Sequence, residues 1–300
     1  MLAPLVTCKN PMQRRQQTLA NRSSIGGFGY WSGRDIQVEF RPAEVDTGIV
    51  FVRRDLGTSA RVPALVQYRV DMPRRTNLRC GEAEVEMVEH VLAALAGMQI
   101  DNCEVWVDSA EMPGGDGSCS MIVSALQQAG KVIQDAPRAV HEVNQVIRVG
   151  SDDAWVEARP ATTSGMALAY DLDYGTDHIL GRATFAGTIT PEFFVDELAP
   201  ARTFLMQDEA EWLRSQGLGL RVTTDYVLVF GPEGLIGNRL RFHDECARHK
   251  VLDMVGDLAL GGCDFSGTFL AYRSGHKLNA ELVSQILSHD NAIPEGRMSA

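Results

Sequence analysis

Apolar residues fall at helical spacing over residues 88–96, where Val88, Val91, Leu92 and Leu95 stand at i, i+3, i+4 and i+7. Gly97 breaks that pattern, a strand-like run follows at 103–107, and the turn AEMPGGDGS leads into a second helical stretch at 121–129. The same order returns later as a helix over 244–260, the break Gly261-Gly262, a strand over 267–272, the turn RSGH and a helix over 279–287. Upstream of each series lies a matching string, VEFRPA at 38–43 and VEARPA 118 residues on at 156–161, each followed by a glycine turn and an apolar run. A unit used twice predicts an α+β fold of two duplicated domains. Each is a β-sheet layer with a pair of helices, and the helices of the two domains pack between the sheets.

His90 and His249 occupy equivalent places 159 residues apart, so the second half carries 41 extra residues between these landmarks. The surplus predicts an insertion near 203–235, in which 209–215 reads as helix. The expected division is a flexible tail at 1–15, a first domain at 16–134, a linker at 135–140 and a second domain at 141–295.

The helix over 244–260 changes the picture from fold to chemistry. Asp244 stands where an N-cap belongs and Gly261-Gly262 where a stop belongs. Between them His249, Asp253 and Asp257 recur at i, i+4 and i+8, one polar stripe on a helix otherwise rich in Val251, Leu252, Met254, Val255 and Leu258. Burying such a stripe is costly unless it is paired, and two ligands four residues apart can grip one metal. A solvent-facing polar stripe is the competing explanation. In the first half Glu89-His90 opens the equivalent helix. Adjacent helical side chains point about 100° apart, so His90 can bind a metal while Glu89 stands beside its water. His90, His249 and Asp253 together leave one position of a tetrahedral zinc open. His276, in the turn before the last helix, can be oriented and kept protonated by Asp257 if the two meet. Asp116-Gly117-Ser118 reads as a tight turn, and Cys246 as a core thiol rather than a ligand.

Composition narrows the partners. Of 300 residues 45% are apolar and 22% charged, an ordinary globular balance, and the net charge of -11 argues against nucleic acid or anionic lipid as the main partner. Six scattered cysteines without a CxxC pair suit reduced thiols in the cytoplasm. The first residues lack the apolar run of a secretion signal, and no stretch of about 18 apolar residues predicts a membrane span.

Taken together, QQTL (16–19), the SG and RPA stretches (32–33, 41–43), TGIVF (47–51), VEHVLAALAGMQIDN (88–102), EMPGGDGS (111–118), ARTF (201–204), RHKVLDMVGDLALGG (248–262) and SGHKLN (274–279) resemble the UDP-3-O-acyl-N-acetylglucosamine deacetylase family. The resemblance covers about residues 16–290. It implies a zinc-dependent hydrolase, with one Zn2+ per chain on His90, His249 and Asp253, that releases acetate from a UDP-sugar bearing an acyl chain. That reaction is the committed step of lipid A biosynthesis. The resemblance further implies Glu89 as general base, Thr203 as oxyanion donor, His276 as general acid or electrostatic partner with Asp257 behind it, and Lys250 and Phe204 as substrate-binding residues. It implies an insertion in each domain, the second forming an apolar passage for the acyl chain, to which Leu205, Trp212, Leu213 and Leu218 are expected to contribute. A cytoplasmic monomer is expected. Two departures stand out: Trp31 where the family has His before SG, and Ser120-Met121-Ile122 in place of a Pro-Phe pair. An amidase for another acetamido sugar, or a non-catalytic binding relative, stays open on the residues alone.

Overall fold

The computed structural model describes residues 13–162 and 164–290; the expected tail before residue 13 and the end of the second domain past 290 lie outside them. The first half runs β1 (Arg15–Leu19), β2 (Ser23–Phe28), β3 (Asp35–Pro42), β4 (Ile49–Arg53), β5 (Arg61–Pro63), β6 (Arg69–Val70), β7 (Asn77–Cys80), β8 (Ala83–Val85), α1 (Glu89–Gly97), β9 (Cys103–Val107), α2 (Ser120–Ala129) and β10 (Lys131–Pro137). The second runs β11 (Val140–Glu142), β12 (Ile147–Gly150), β13 (Trp155–Arg159), β14 (Met166–Asp173), β15 (Arg182–Thr188) and α3 (Pro191–Phe193), which continues as a π turn over Phe194–Leu198. Then follow β16 (Phe204–Met206), α4 (Gln207–Ser215), β17 (Leu228–Gly231), β18 (Gly234–Leu235), α5 (Glu245–Leu258), β19 (Asp264–Tyr272) and α6 (His276–Asp290).

The repeat seen in the sequence is a repeat of topology. One sheet has the order β2-β3-β9-β4-β5 and the other β12-β13-β19-β14-β15, with β11 pairing at one end of β19. In both, the late strand enters the middle, antiparallel to one neighbour and parallel to the other. VEFRPA and VEARPA lie on the equivalent strands β3 and β13. Alternation sets which face is inward: Ile36, Val38 and Phe40 are buried on β3, and Phe265, Phe269 and Ala271 on β19.

α2 packs on β2, α5 on β14 and β15, and α6 on β12 and β13, while α1 lies against α5 and α2. The helices therefore fill the space between the sheets, and one continuous core includes residues of both halves. The tightest point is Gly256 of α5, where a β-carbon would come 2.1 Å from the Glu89 carbonyl oxygen of α1. A mid-helix glycine weakens a helix by about 1 kcal/mol, and here its missing side chain lets two helices touch.

Each half carries a small three-stranded sheet beyond the shared plan. In the first it is β6-β7-β8; in the second it is β16-β17-β18 with α4, within the 203–235 stretch where surplus chain is expected. β10 pairs with β1, so residues 135–137 belong to a strand and 140 begins β11. Arg14 donates to the carboxylates of both Asp101 and Asp264, an ion cluster tying the two halves together. Among the described residues no helix is long and apolar enough to cross a membrane. Among the described residues no two cysteines form a disulfide, and Cys246 is buried in the core; Cys8 lies outside the described residues.

Candidate metal centre

Glu89 and His90 open α1, and His249 and Asp253 stand one turn apart on α5. The close crossing at Gly256 brings these two helices together. The potential ligand atoms of His90, His249 and Asp253 all lie within 4.8 Å of one another. His249 Nε2 is 3.5 Å and His90 Nε2 3.7 Å from Asp253 Oδ1. Ligand atoms at about 2.1 Å from a tetrahedral zinc stand about 3.4 Å apart, so the donor set has nearly the spacing such an ion requires.

The surrounding groups favour the same use. His249 Nδ1 lies 3.1 Å from the Ala201 carbonyl oxygen. Donation there leaves Nε2 as the lone-pair side. Burial pulls the His249 pKa down to about 4, so the ring is neutral as a ligand must be. Lys250 Nζ donates to Asp253 Oδ2 at 2.6 Å, which leaves Oδ1 facing the two imidazoles. Burial alone raises a carboxyl's pKa, but Lys250 and His249 hold Asp253 well below the usual range. Lys250 itself is raised: burial opposes its charge, and Asp253 outweighs burial.

Around this trio stand further buried titratable groups. Glu89 is 5% exposed, and Thr76 N–H donates to its Oε2 at 2.9 Å. Burial raises its pKa, against the pull of His276 and His90. His276 Nδ1 is 2.9 Å from Asp257 Oδ2, and its Nε2 is 4.0 Å from Asp253 Oδ2. Burial lowers the His276 pKa, but Asp257, Asp253 and Glu89 outweigh it and carry the value up to about 9. Asp257 is fully buried and satisfied: its Oδ1 accepts Thr76 Oγ1–H at 2.7 Å and its Oδ2 accepts Asn279 Nδ2–H at 2.9 Å.

Glu89, His90, His249, Asp253 and His276 border one cavity of about 840 Å3. Thr203 and Phe204 line it, with Phe204 edge-on to His249 at 6.4 Å between ring centroids. Thr203 N–H donates to Gly117 O at 2.8 Å, so the DGS turn of the first half positions a residue of the second. That turn is tight, with Asp116 Oδ1 accepting from Ser118 N–H and Oγ–H. Lys250, Leu205, Leu213 and Leu218 also border the cavity.

Three expectations need correction. Asp244 is the N-cap of α5, but its side chain accepts no capping hydrogen bond; Arg248, one turn on, takes its carboxylate at 2.6 Å. His276 is the first residue of α6 rather than part of the preceding turn, which fixes its backbone in helical geometry. Trp212 does not line the site cavity; it is 55% exposed and borders a second one. Sequence reasoning also missed Thr76, which holds Glu89 with its amide and Asp257 with its hydroxyl. No local pattern marks it, since the hydroxyl's partner is 181 residues away. Asn279 had a signal, three residues after His276 and hence on the same helix face.

The profile of the UDP-3-O-acyl N-acetylglycosamine deacetylase family matches residues 16–288. Relatives named UDP-3-O-acyl-N-acetylglucosamine deacetylase, from Brucella ovis, Brucella canis and Brucella melitensis, are each 38% identical over 284 residues. Each alignment covers 94% of this chain and 98% of the relative.

Proposed function

The chain belongs to the UDP-3-O-acyl N-acetylglycosamine deacetylase family, and on that premise we propose that His90, His249 and Asp253 hold the zinc ion with which it cleaves its substrate. It is an amide hydrolase that removes the N-acetyl group of UDP-3-O-acyl-N-acetylglucosamine in lipid A biosynthesis, working as a monomer in the cytoplasm. The observation that carries the zinc assignment is the convergence of two imidazoles and one carboxylate, from equivalent helices of a duplicated fold, beside buried Glu89 and a buried imidazolium.

Bound zinc supplies Lewis-acid polarisation of the amide carbonyl and a lower pKa for the attacking water. Glu89 accepts that water's proton; Thr76 fixes one carboxylate oxygen and leaves the other to act. Its raised pKa makes it a stronger base than an exposed glutamate and an acid able to release the proton again. The Thr203 hydroxyl donates to the oxyanion as the carbonyl becomes tetrahedral, a contact of a kind worth about 3 kcal/mol. His276 is held by Asp257 through Nδ1, so its Nε2–H is free to donate to the departing amine. The C–N bond breaks to give acetate and the amine; the proton on Glu89 restores His276, and the proton left on the new carboxyl passes to the amine or to solvent. Phe204 and Lys250 hold the substrate beside the centre. Leu205, Leu213 and Leu218 offer apolar surface to the 3-O-acyl chain. Each buried methylene contributes about 0.8 kcal/mol, so a chain of several outweighs any single rim contact.

Deacetylation of UDP-N-acetylglucosamine with and without a 3-O-acyl group tests the substrate assignment. A far higher kcat/KM for the acylated sugar is expected. Equal values contradict the acyl-chain assignment and leave a deacetylase of broader choice.

A further inference from the structure

The site cavity adjoins a second cavity of about 780 Å3, and Trp31, Met72, Arg75, Leu213 and Leu218 are among the residues that border both. These side chains stand between the two spaces. Leu205, Val222 and Val229 add apolar wall to the near side beside the leucines. The far side carries Arg34, Asp35, Arg53, Asp55 and Asp108 on its walls, beside Ala110 and Trp212.

Trp31 is rigidly presented. Its own N–H and that of Ser32 donate to the two oxygens of Glu111, at 2.7 and 2.9 Å, and Glu111 is only 3% exposed. The Arg75 guanidinium lies over the indole, 4.5 Å from the ring centroid, and reaches the Glu86 carboxylate at 3.3 Å. Its Nε and Nη1 are buried without a hydrogen-bond partner among the described residues. A guanidinium placed for ion pairing spends its donors on carboxylates or carbonyls. This one leaves two unspent and packs its flat face on an aromatic ring, so it serves as a slab as much as a charge.

We infer that Trp31 and Arg75 form the end wall of the acyl passage and set the length of 3-O-acyl chain this enzyme prefers. The inference rests on the acyl-binding assignment above. A methylene that finds apolar wall strengthens binding about fourfold. One that meets the indole must fold back or displace the stacked Trp31–Arg75 pair, and the gain stops there. Trp31 thus acts on specificity through shape, at a distance from the reacting atoms.

The test is binding of UDP-3-O-acyl-glucosamine, the deacetylated product, to the intact metal-loaded protein. Calorimetry is run across saturated chains of increasing length. In the unaltered protein affinity rises with length and then levels off. Trp31→Ala should move the levelling point to longer chains and tighten binding of the longest by about tenfold or more, with short chains unaffected and Trp31→Phe in between. Arg75→Ala, from the other half of the wall, should move it the same way, and it carries the test if Trp31→Ala fails to fold. A levelling point unmoved in the folded variants, or an equal change at every length, overturns the end-wall assignment alone. Affinity independent of length in the unaltered protein overturns the acyl passage and the wall with it.

Discussion

Gly256 of α5 sits against the backbone of Glu89 on α1, so closely that a β-carbon there would meet the Glu89 carbonyl oxygen at 2.1 Å. This contact fixes the spacing of the helices that carry His90 on one side and His249 and Asp253 on the other. Gly→Ala in a helix ordinarily adds up to about 1 kcal/mol of stability. Gly256→Ala should instead cost about 1–3 kcal/mol in denaturant unfolding, because two helix backbones must part. Metal affinity should fall with it. A variant that is more stable and equally metal-loaded contradicts this account of the crossing.

Glu89 and His90 are neighbours with different proposed tasks, and Glu89→Gln separates them. The variant should keep its metal and its product affinity while kcat falls about a hundred- to ten-thousand-fold, since an amide cannot take the water's proton. Loss of metal in that variant makes Glu89 a ligand instead.

The His276–Asp257 pair predicts a pH signature in the metal-free protein. His276 should titrate near pH 9 by nuclear magnetic resonance, above its ordinary 6.5. Burial by itself depresses the value and Asp257 is the first of the charges that raise it, so Asp257→Asn should bring it down toward or below 6.5. Because the folded-state pKa is the higher one, the pair's contribution to stability is complete below pH 6.5 and fades as pH rises through 9. Asp257→Asn should flatten that part of the stability curve. Titration near 6.5 in the unaltered protein contradicts the pairing.

Thr76 joins the two halves at the site. Thr76→Val keeps the amide that holds Glu89 and removes the hydroxyl that serves buried Asp257. A loss of about 1–3 kcal/mol in stability is expected, with kcat lowered and metal content unchanged. Unaltered stability and kcat would show that Asp257 does not depend on the hydroxyl.

Much of this was legible along the chain because the duplicated domains carry their marks locally. VEFRPA and VEARPA lie on matching strands, and the i, i+4, i+8 spacing of His249, Asp253 and Asp257 is a property of one helix. The 41 surplus residues pointed to extra chain near 203–235, where β16-β17-β18 and α4 lie, and the family resemblance implied roles for Thr203, Lys250 and Phe204. What stayed hidden are the partners chosen in space. Thr76 bridges to Asp257 across 181 residues, and Trp31 meets Arg75 only once β2, β3 and the first insertion have folded together. Asp244 shows the opposite limit. Its position predicts a cap, yet a guanidinium one turn away competes for the same carboxylate and wins.

Zinc titration of the chelator-treated protein, with acetate release from UDP-3-O-acyl-N-acetylglucosamine as the readout, tests the metal centre most directly. Activity should be absent without metal and rise in proportion to zinc until about one ion per chain is bound, the tetrahedral site of three protein ligands and one open position. His90→Ala, His249→Ala and Asp253→Ala should each abolish that rise while the chain remains folded. Full deacetylase activity in rigorously metal-free protein, or saturation unaffected by all three substitutions, would contradict the assignment of this centre.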